Sequence, residues 1–221
     1  MDAALLDVDG TLIDDNLLHV LAWCRAFARI GIRVAAVDVL HRVGMGGDRL
    51  VPDLLGPGAS RHLMERARAF HAEEYTENGL IELAEPLPGA ADLVRELKRR
   101  GLRVALASSA KQEELERYLG LLGGVDIDAI VTQEEVATTK PAPDVFARAL
   151  EQLGGPAHAV VFGDTVYDVR AARKLGLPCV ALLSGGIERR VLEAERPAAL
   201  YVDAADACAH LDDVLRLRAA A

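Results

Sequence analysis

The N-terminal stretch ALLDVDGTLIDD sets Asp7 and Asp9 two residues apart, directly behind an apolar run and ahead of Gly10-Thr11. On an extended strand, side chains at i and i+2 point the same way, so both carboxylates face one region. The plainest reading is a turn, because Asp bonds its own backbone and Gly accepts positive φ. The rest of the chain supplies companions that argue for chemistry. Ser108-Ser109 follows LRVALA, Lys140-Pro141 lies in a loop after DAIVT, and AVVFGD delivers Asp164 with Asp168 four residues on. Several carboxylates can hold a magnesium ion, which prefers oxygen ligands and keeps some waters, while a lysine and a hydroxyl hold phosphate oxygens. One aspartate can attack phosphorus covalently and another can pass a proton to the leaving group. The set therefore points to phosphoryl transfer with Mg2+ as the cofactor.

These residues need elements that bring them together. From about residue 90 onward the apolar runs LRVALAS, DAIVT, AVVFGD, CVALL and ALYVD alternate with charged, Ala- and Leu-rich helical stretches, and AALLDV at Ala3 to Val8 matches those runs. That alternation predicts an α/β fold, a parallel sheet with crossover helices on its faces. In such sheets reactive groups gather at the carboxyl edge, which is where each candidate residue falls. Between residues 16 and 84 the spacing turns helical with no strong strand run, punctuated by Gly56-Pro57-Gly58 and Pro86-Leu87-Pro88-Gly89. The expected organisation is a discontinuous sheet domain, residues 1–15 and 87–221, with a helical insertion over 16–86. The terminal alanine run is expected to fray.

Composition narrows the partners. A formal charge of −9 over 221 residues repels nucleic-acid phosphates and anionic lipid, so a small phosphorylated metabolite is expected rather than nucleic acid or membrane. No run approaches the roughly 18 apolar residues of a membrane span and no signal-peptide pattern opens the chain, which makes the cytoplasm the expected location. Cys24, Cys179 and Cys208 are odd in number and far apart, without a CxxC pair, so they suggest neither a disulfide framework nor a thiolate zinc site. Of 25 basic residues, 21 are Arg and only Lys98, Lys111, Lys140 and Lys174 are Lys. A lysine is ordinarily a solvated surface charge, yet one of these four falls among the candidate site residues.

DVDGT, the strand-end Ser108, Lys140 followed by PAPDVF, and GDTVYD resemble, in order and spacing, the four motifs of the haloacid dehalogenase-like hydrolases. The resemblance covers nearly the whole chain. It includes the place of the insertion, which in that family is a mobile helical cap after the first motif of a Rossmann-like core. It implies that Asp7 is the nucleophile forming an aspartyl-phosphate and that Asp9 is the general acid and base, lending its backbone carbonyl to the metal. Asp164 looks like the second carboxylate on magnesium, and Asp168 like an outer partner for a metal-bound water or for Lys140. Ser108, Ser109 and Lys140 would bind the transferring phosphoryl group, with help from the backbone amides of Val8, Asp9 and Ser109. Plainer roles compete at two places: a strand-end serine often caps the next helix, and Asp168 suits a helix first turn.

Within the insertion His19 and Trp23 stand at i, i+4, a spacing that serves core contacts as readily as substrate. VGMGGDRL, Val43 to Leu50, resembles the loop through which such caps read their substrates and brings Gly46, Gly47 and Arg49 into view. The Arg-rich stretch from Ser60 to Glu74 reads as a solvated face. The leading expectation is a magnesium-dependent phosphatase acting on a small phosphomonoester. The nearest rival is a phosphomutase related to β-phosphoglucomutase, whose family carries a cap-loop arginine and a cap lysine to grip a second phosphate. Here that arginine position is Gly47 and residues 15–88 hold no lysine, which favours the phosphatase unless Arg49 or Arg42 compensates. A dehalogenase attacks carbon and needs no acid placed as Asp9 is. A catalytically idle phosphate-binding module is motivated by nothing in the chain.

Overall fold

The computed structural model describes residues 1–217; the alanine run expected to fray lies outside the described residues. In chain order the elements are β1 (Ala3–Leu6), β2 (Ile13–Asp14), α1 (Asn16–Arg29), α2 (Ala36–Leu40), α3 (Gly47–Leu55), α4 (Arg61–Ala72), β3 (Glu85–Pro86), α5 (Ala90–Arg99) and β4 (Arg103–Ala107). There follow α6 (Gln112–Leu121), β5 (Ala129–Val131), α7 (Asp144–Gln152), β6 (Ala159–Gly163), α8 (Val166–Lys174), β7 (Cys179–Leu182), α9 (Arg189–Ala194), β8 (Ala199–Tyr201), α10 (Ala204–Ala209) and α11 (Leu211–Val214).

Six strands form one parallel sheet in the order β5-β4-β1-β6-β7-β8. Its central strands are apolar at every position because helices cover both faces, which is why AALL and AVVF show no polar alternation. Alternate residues of β1 serve opposite sides. Ala4 and Leu6 join Val104, Phe162, Leu93 and Leu97 in one core, while Ala3 and Leu5 join Val161, Val145, Phe146 and Val169 in the other. The chain builds outward from β1 through β4 to β5, then crosses back to β6 on the other side of β1. Leu6 accordingly lies opposite both Leu106 and Phe162. The place where such a sheet reverses its order, here between β1 and β6, opens a crevice beyond the strands' carboxyl ends.

Helices α1 to α4 bury a separate core of Val20, Trp23, Phe27, Val39, Leu50, Val51 and Ala67. A π-helical turn, Glu73–Glu77, carries α4 onward. The chain enters and leaves this helical segment through β2 and β3, an antiparallel pair that sets Ile13 opposite Pro86 and Asp14 opposite Glu85. Two residues per strand leave no periodic signature in the sequence. Among the described residues no helix is long and apolar enough to cross a membrane.

Phe162 is fully buried at the centre of β6. Phe162→Ala is expected to cost about 3–5 kcal/mol of stability, since a ring's worth of contacts is lost and a cavity remains. A urea unfolding midpoint within error of the parent's would contradict that packing.

Candidate active site

Because β4, β1 and β6 are neighbours, the residues just past their carboxyl ends stand side by side: Ser108, Asp7 and Asp164. The Asp7 amide continues the ladder by donating to the Phe162 carbonyl at 2.9 Å, which fixes where its side chain begins. Lys140, from the loop ahead of α7, is fully buried and bridges two carboxylates: its Nζ pairs with Asp7 Oδ1 and, at 2.8 Å, with Asp168 Oδ1. Asp168 holds that position because its other oxygen accepts from the Thr165 amide and hydroxyl, at 3.1 and 2.6 Å. Thr165 in turn caps α8. The residue is thus at once a first-turn aspartate and a partner of Lys140, and the two readings of it in the sequence were not alternatives.

Asp164 is oriented from the helical segment's side of the chain. Its Oδ1 accepts from Thr11 Oγ1 at 3.2 Å, and its Oδ2 from Asn16 Nδ2 at 2.8 Å; Asn16 also reaches the Gly185 carbonyl at 3.0 Å. Ser108 Oγ accepts from the Ala110 amide at 2.9 Å, in the turn ahead of α6, and donates to Asp9 Oδ2 at 3.3 Å. Ser109 Oγ is buried nearby with no hydrogen-bond partner among the described residues.

Three buried carboxylates, Asp7, Asp164 and Asp168, bring oxygens within 4.8 Å of one another around a single lysine. Burial pushes Asp7 well above the ordinary carboxylate range, reinforced by Asp168 and opposed by Lys140. Burial, then the charge of Asp168, pushes Asp164 up to about 7. For Lys140 burial alone would favour the neutral amine, but Asp168 and Asp7 outweigh it and hold the ammonium above the usual lysine value. The cluster is short of positive charge and offers only hard oxygen donors. That combination fits a divalent cation such as Mg2+.

In front of Asp7 and Asp9 lies a cavity of about 300 Å³. The sheet side lines it with Asp7, Asp9, Ser109, Lys111 and Glu114; the helical segment contributes His19, Trp23, Gly46, Gly47, Arg68 and His71. His19, Trp23, Gly46 and Gly47, singled out in the sequence, line this cavity. Arg49 does not line the cavity, and Arg42 is taken up by Asp53 at 2.5 Å. The expectation that Ser60 to Glu74 is a solvated face needs correction. Arg61, His62, Glu65 and Arg66 are exposed, but Arg68, Ala69, His71 and Ala72 turn to the cavity. Their i, i+3, i+4 spacing was the available signal, masked by the charge count of the whole stretch. The glycine loop is tied to the Lys140 loop: the Gly46 amide donates to Thr139 Oγ1 at 3.0 Å, and Asp48 accepts from the Thr139 amide at 3.3 Å.

A stack of rings runs down the cavity wall, Trp23 on His71 at 3.9 Å between centroids, His71 against His19 at 5.3 Å, and His19 on Tyr75 at 3.9 Å. His19 Nδ1 and His71 Nε2 share a hydrogen bond of 3.2 Å. On its other side His19 Nε2 faces Asp15 at 3.8 Å and Asp9 at 4.0 Å. Below, Tyr75 hydrogen-bonds Tyr118 across 2.5 Å and donates to Asp15 at 3.4 Å. Sequence reasoning did not single out Asp15, Tyr75, Tyr118 or His71, because the hydrogen bonds that gather them, Tyr75 to Asp15, Tyr75 to Tyr118 and His19 to His71, span 43 to 60 residues. Burial lowers His19 against the pull of Asp9, and lowers His71 further with help from His19 and Lys111, so both rings are neutral at pH 7.

With the geometry in place, comparison with known proteins defines the class. The family model for haloacid dehalogenase-like hydrolases matches residues 1–176, and the chain belongs to that family. A phosphoglycolate phosphatase of Pseudomonas putida is 30% identical over 211 residues, covering 90% of this chain and 75% of its own. The chloroplast protein SUPPRESSOR OF QUENCHING 1 of Arabidopsis thaliana is 32% identical over 195 residues, 82% of this chain, although the chain spans only 18% of that protein's length. Among solved structures, a hydrolase from Pseudomonas syringae superposes with a TM-score of 0.90 at 31% identity, covering 97% of this chain and 99% of its own.

The lowered histidines set a pH dependence. A group whose folded pKa lies below its unfolded value, near 6.5, stabilises the fold above that value and loses the contribution as pH falls. Between pH 7.5 and 5.0 the two histidines pull the urea midpoint down while the raised carboxyls of Asp7 and Asp164 pull it up, so His71→Leu, which removes one histidine's share, should lose less stability on acidification than the parent. An identical slope in the variant would show that His71 is not being held neutral.

Proposed function

We propose that the protein is a magnesium-dependent phosphatase that hydrolyses a small phosphomonoester through an aspartyl-phosphate on Asp7, and that residues 16–86 act as a cap over a core of 1–15 and 87–221. The observation that carries the reading is Lys140 buried between Asp7 and Asp168, with Asp7 and Asp9 themselves lining the cavity. The matched family is a hydrolase family, and the Pseudomonas putida relative is named a phosphoglycolate phosphatase.

Asp7, Asp164 and the backbone carbonyl of Asp9 would hold magnesium, which when bound supplies positive charge against the phosphoryl oxygens. Lys140 supplies a second, fixed positive charge beside Asp7 and lowers the repulsion between its carboxylate and a phosphate dianion. Ser108, Ser109 and the amides that follow Asp7 hold the phosphoryl group in line with an Asp7 oxygen. The Asp7 oxygen-to-phosphorus bond forms as the bond to the leaving oxygen breaks, and Asp9 gives that oxygen its proton. Asp9, now a carboxylate, takes a proton from water as the water oxygen attacks phosphorus, freeing phosphate and restoring Asp7. Ser108 bonded to Asp9 and His19 facing it keep the acid turned toward the cavity. Neither Arg42 nor Arg49 reaches the cavity, which weighs against the mutase reading that invoked them.

Phosphate release from a panel of sugar phosphates, phosphoglycolate and nucleotides tests this. Asp7→Asn is expected to lower kcat by at least about a thousandfold, since it removes the nucleophile and keeps its shape. Chelation should silence the parent and added Mg2+ restore it. Turnover retained in Asp7→Asn, or a rate indifferent to chelation, would overturn the mechanism.

A further inference from the structure

Lys140 is delivered by a stretch of chain with no regular structure of its own. Residues 136–143, which lead into α7, run without helix or strand. From there a long flexible stem must carry the ammonium to Asp7 and Asp168. Holding such a side chain at one point requires that the backbone it starts from be held as well. Two anchors flank the lysine. After it, the Pro141 carbonyl accepts from Lys174 Nζ at 2.7 Å. Before it, Thr139 is bonded through both its amide and its hydroxyl to residues of the helical segment.

Thr139 is buried, and its hydroxyl accepts from the Gly46 amide at 3.0 Å while donating to Asp48 Oδ1; its amide donates to Asp48 Oδ2 at 3.3 Å. Asp48 lies in the first turn of α3, where a carboxylate ordinarily serves the helix dipole. Here both of its oxygens are given instead to one residue 91 positions away, the residue before Lys140. A Cβ at Gly46 would stand 2.5 Å from Thr139 Cγ2, so the approach needs glycine. The same loop rests on the support of Asp168. A Cβ at Gly44, whose φ is +96°, would lie 2.8 Å from Thr165 Oγ1, the hydroxyl that bonds Asp168. Tyr167 on α8 donates to the His41 carbonyl at 2.7 Å. The loop from His41 to Asp48 is thus seated on both threonines that hold the Lys140–Asp168 pair.

We propose that Asp48 is a positioning residue for Lys140: through Thr139 it fixes the backbone from which the lysine reaches Asp7 and Asp168. The kinetic consequence rests on the phosphatase reading; the placement of the ammonium does not. Asp48 does not line the cavity, so any effect it has on turnover passes through another residue. Without its carboxylate the Thr139 amide and hydroxyl lose their shared partner, and the Lys140 backbone keeps only the anchor at Pro141 and the turn that Ala142 makes to the Thr139 carbonyl. The ammonium then no longer stands where it offsets the repulsion between Asp7 and a phosphate dianion. A displacement of about 1 Å in such a group costs on the order of a hundredfold in rate.

Asp48→Ala and Asp48→Asn in the full chain test this by two readouts. On an ester from the panel that the parent hydrolyses, Asp48→Ala is expected to lower kcat by about ten- to a hundredfold, with KM and the urea midpoint close to the parent's. Asp48→Asn, whose amide can still pair with Thr139, should recover much of that loss. The second readout needs no turnover. Lys140 is the one fully buried lysine of four, and the NMR signal of its paired ammonium protons is expected to be protected from exchange with water. That signal should be present in the parent and in Asp48→Asn, and shifted or lost in Asp48→Ala. If Asp48→Ala does not fold, Thr139→Val, which removes the hydroxyl shared by Asp48 and Gly46, is expected to give the same loss of kcat and the same change of signal. A parent that releases phosphate from no ester removes the phosphatase reading, and the ammonium signal then decides alone. An unchanged kcat, a raised KM at constant kcat, or a Lys140 signal that ignores Asp48→Ala overturns the proposal. Absence of the protected signal from the parent does so equally.

Discussion

Everything at the carboxyl edge depends on a lysine buried where a lone ammonium would not survive. Taking such a charge out of water costs several kilocalories per mole unless it is paired and hydrogen-bonded. Asp7 and Asp168 meet that condition, and neither would be placed to do so without its own support. Asp7 is set by the β1–β6 ladder, Asp168 by the cap it forms with Thr165 at the start of α8. The site is therefore the meeting point of three separately stabilised pieces of chain, and Lys140 makes their positions interdependent.

The same cluster explains why the site has an appetite for positive charge. One lysine faces three carboxylates, and the imbalance shows in Asp7, held well above the ordinary carboxylate range, and in Asp164, which does not pair with Lys140 and is pushed up to about 7. Thr11 and Asn16 orient Asp164 by hydrogen bonds without neutralising it. An arrangement of this kind is costly to the apo fold and useful to a phosphoryl-transfer enzyme, because a preorganised field is available before the substrate arrives.

The helical segment contributes through different physics. Its own apolar core lets α1 to α4 hold together, and only a short β2–β3 pair carries the chain across. Contacts to the sheet side are both apolar and polar: Ala22, Tyr75, Leu80 and Ile81 pack into the core that holds Leu6 and Val104, the Gly46 amide bonds Thr139, and Tyr75 bonds Tyr118.

The sequence by itself determined the parallel sheet, the helical insertion and the edge residues. Uninterrupted apolar strands, helical spacing and strand-end aspartates are local patterns, each readable within about ten residues. Asp7, Asp9, Ser108, Lys140, Asp164 and Asp168 could be named before any fold was known because strand ends in such sheets converge by rule. Tertiary structure alone decided which side chains surround them. Asp15, Tyr75 and Tyr118 became a buried network, and Arg68 rather than Arg49 came to the cavity, because a helix's rotation about its axis is fixed by what it packs against. The charge count of RHLMERARAFHA says only that α4 is polar. The contact of Arg68 with Gly47 and of His71 with Trp23 and His19 says which face of it lines the cavity.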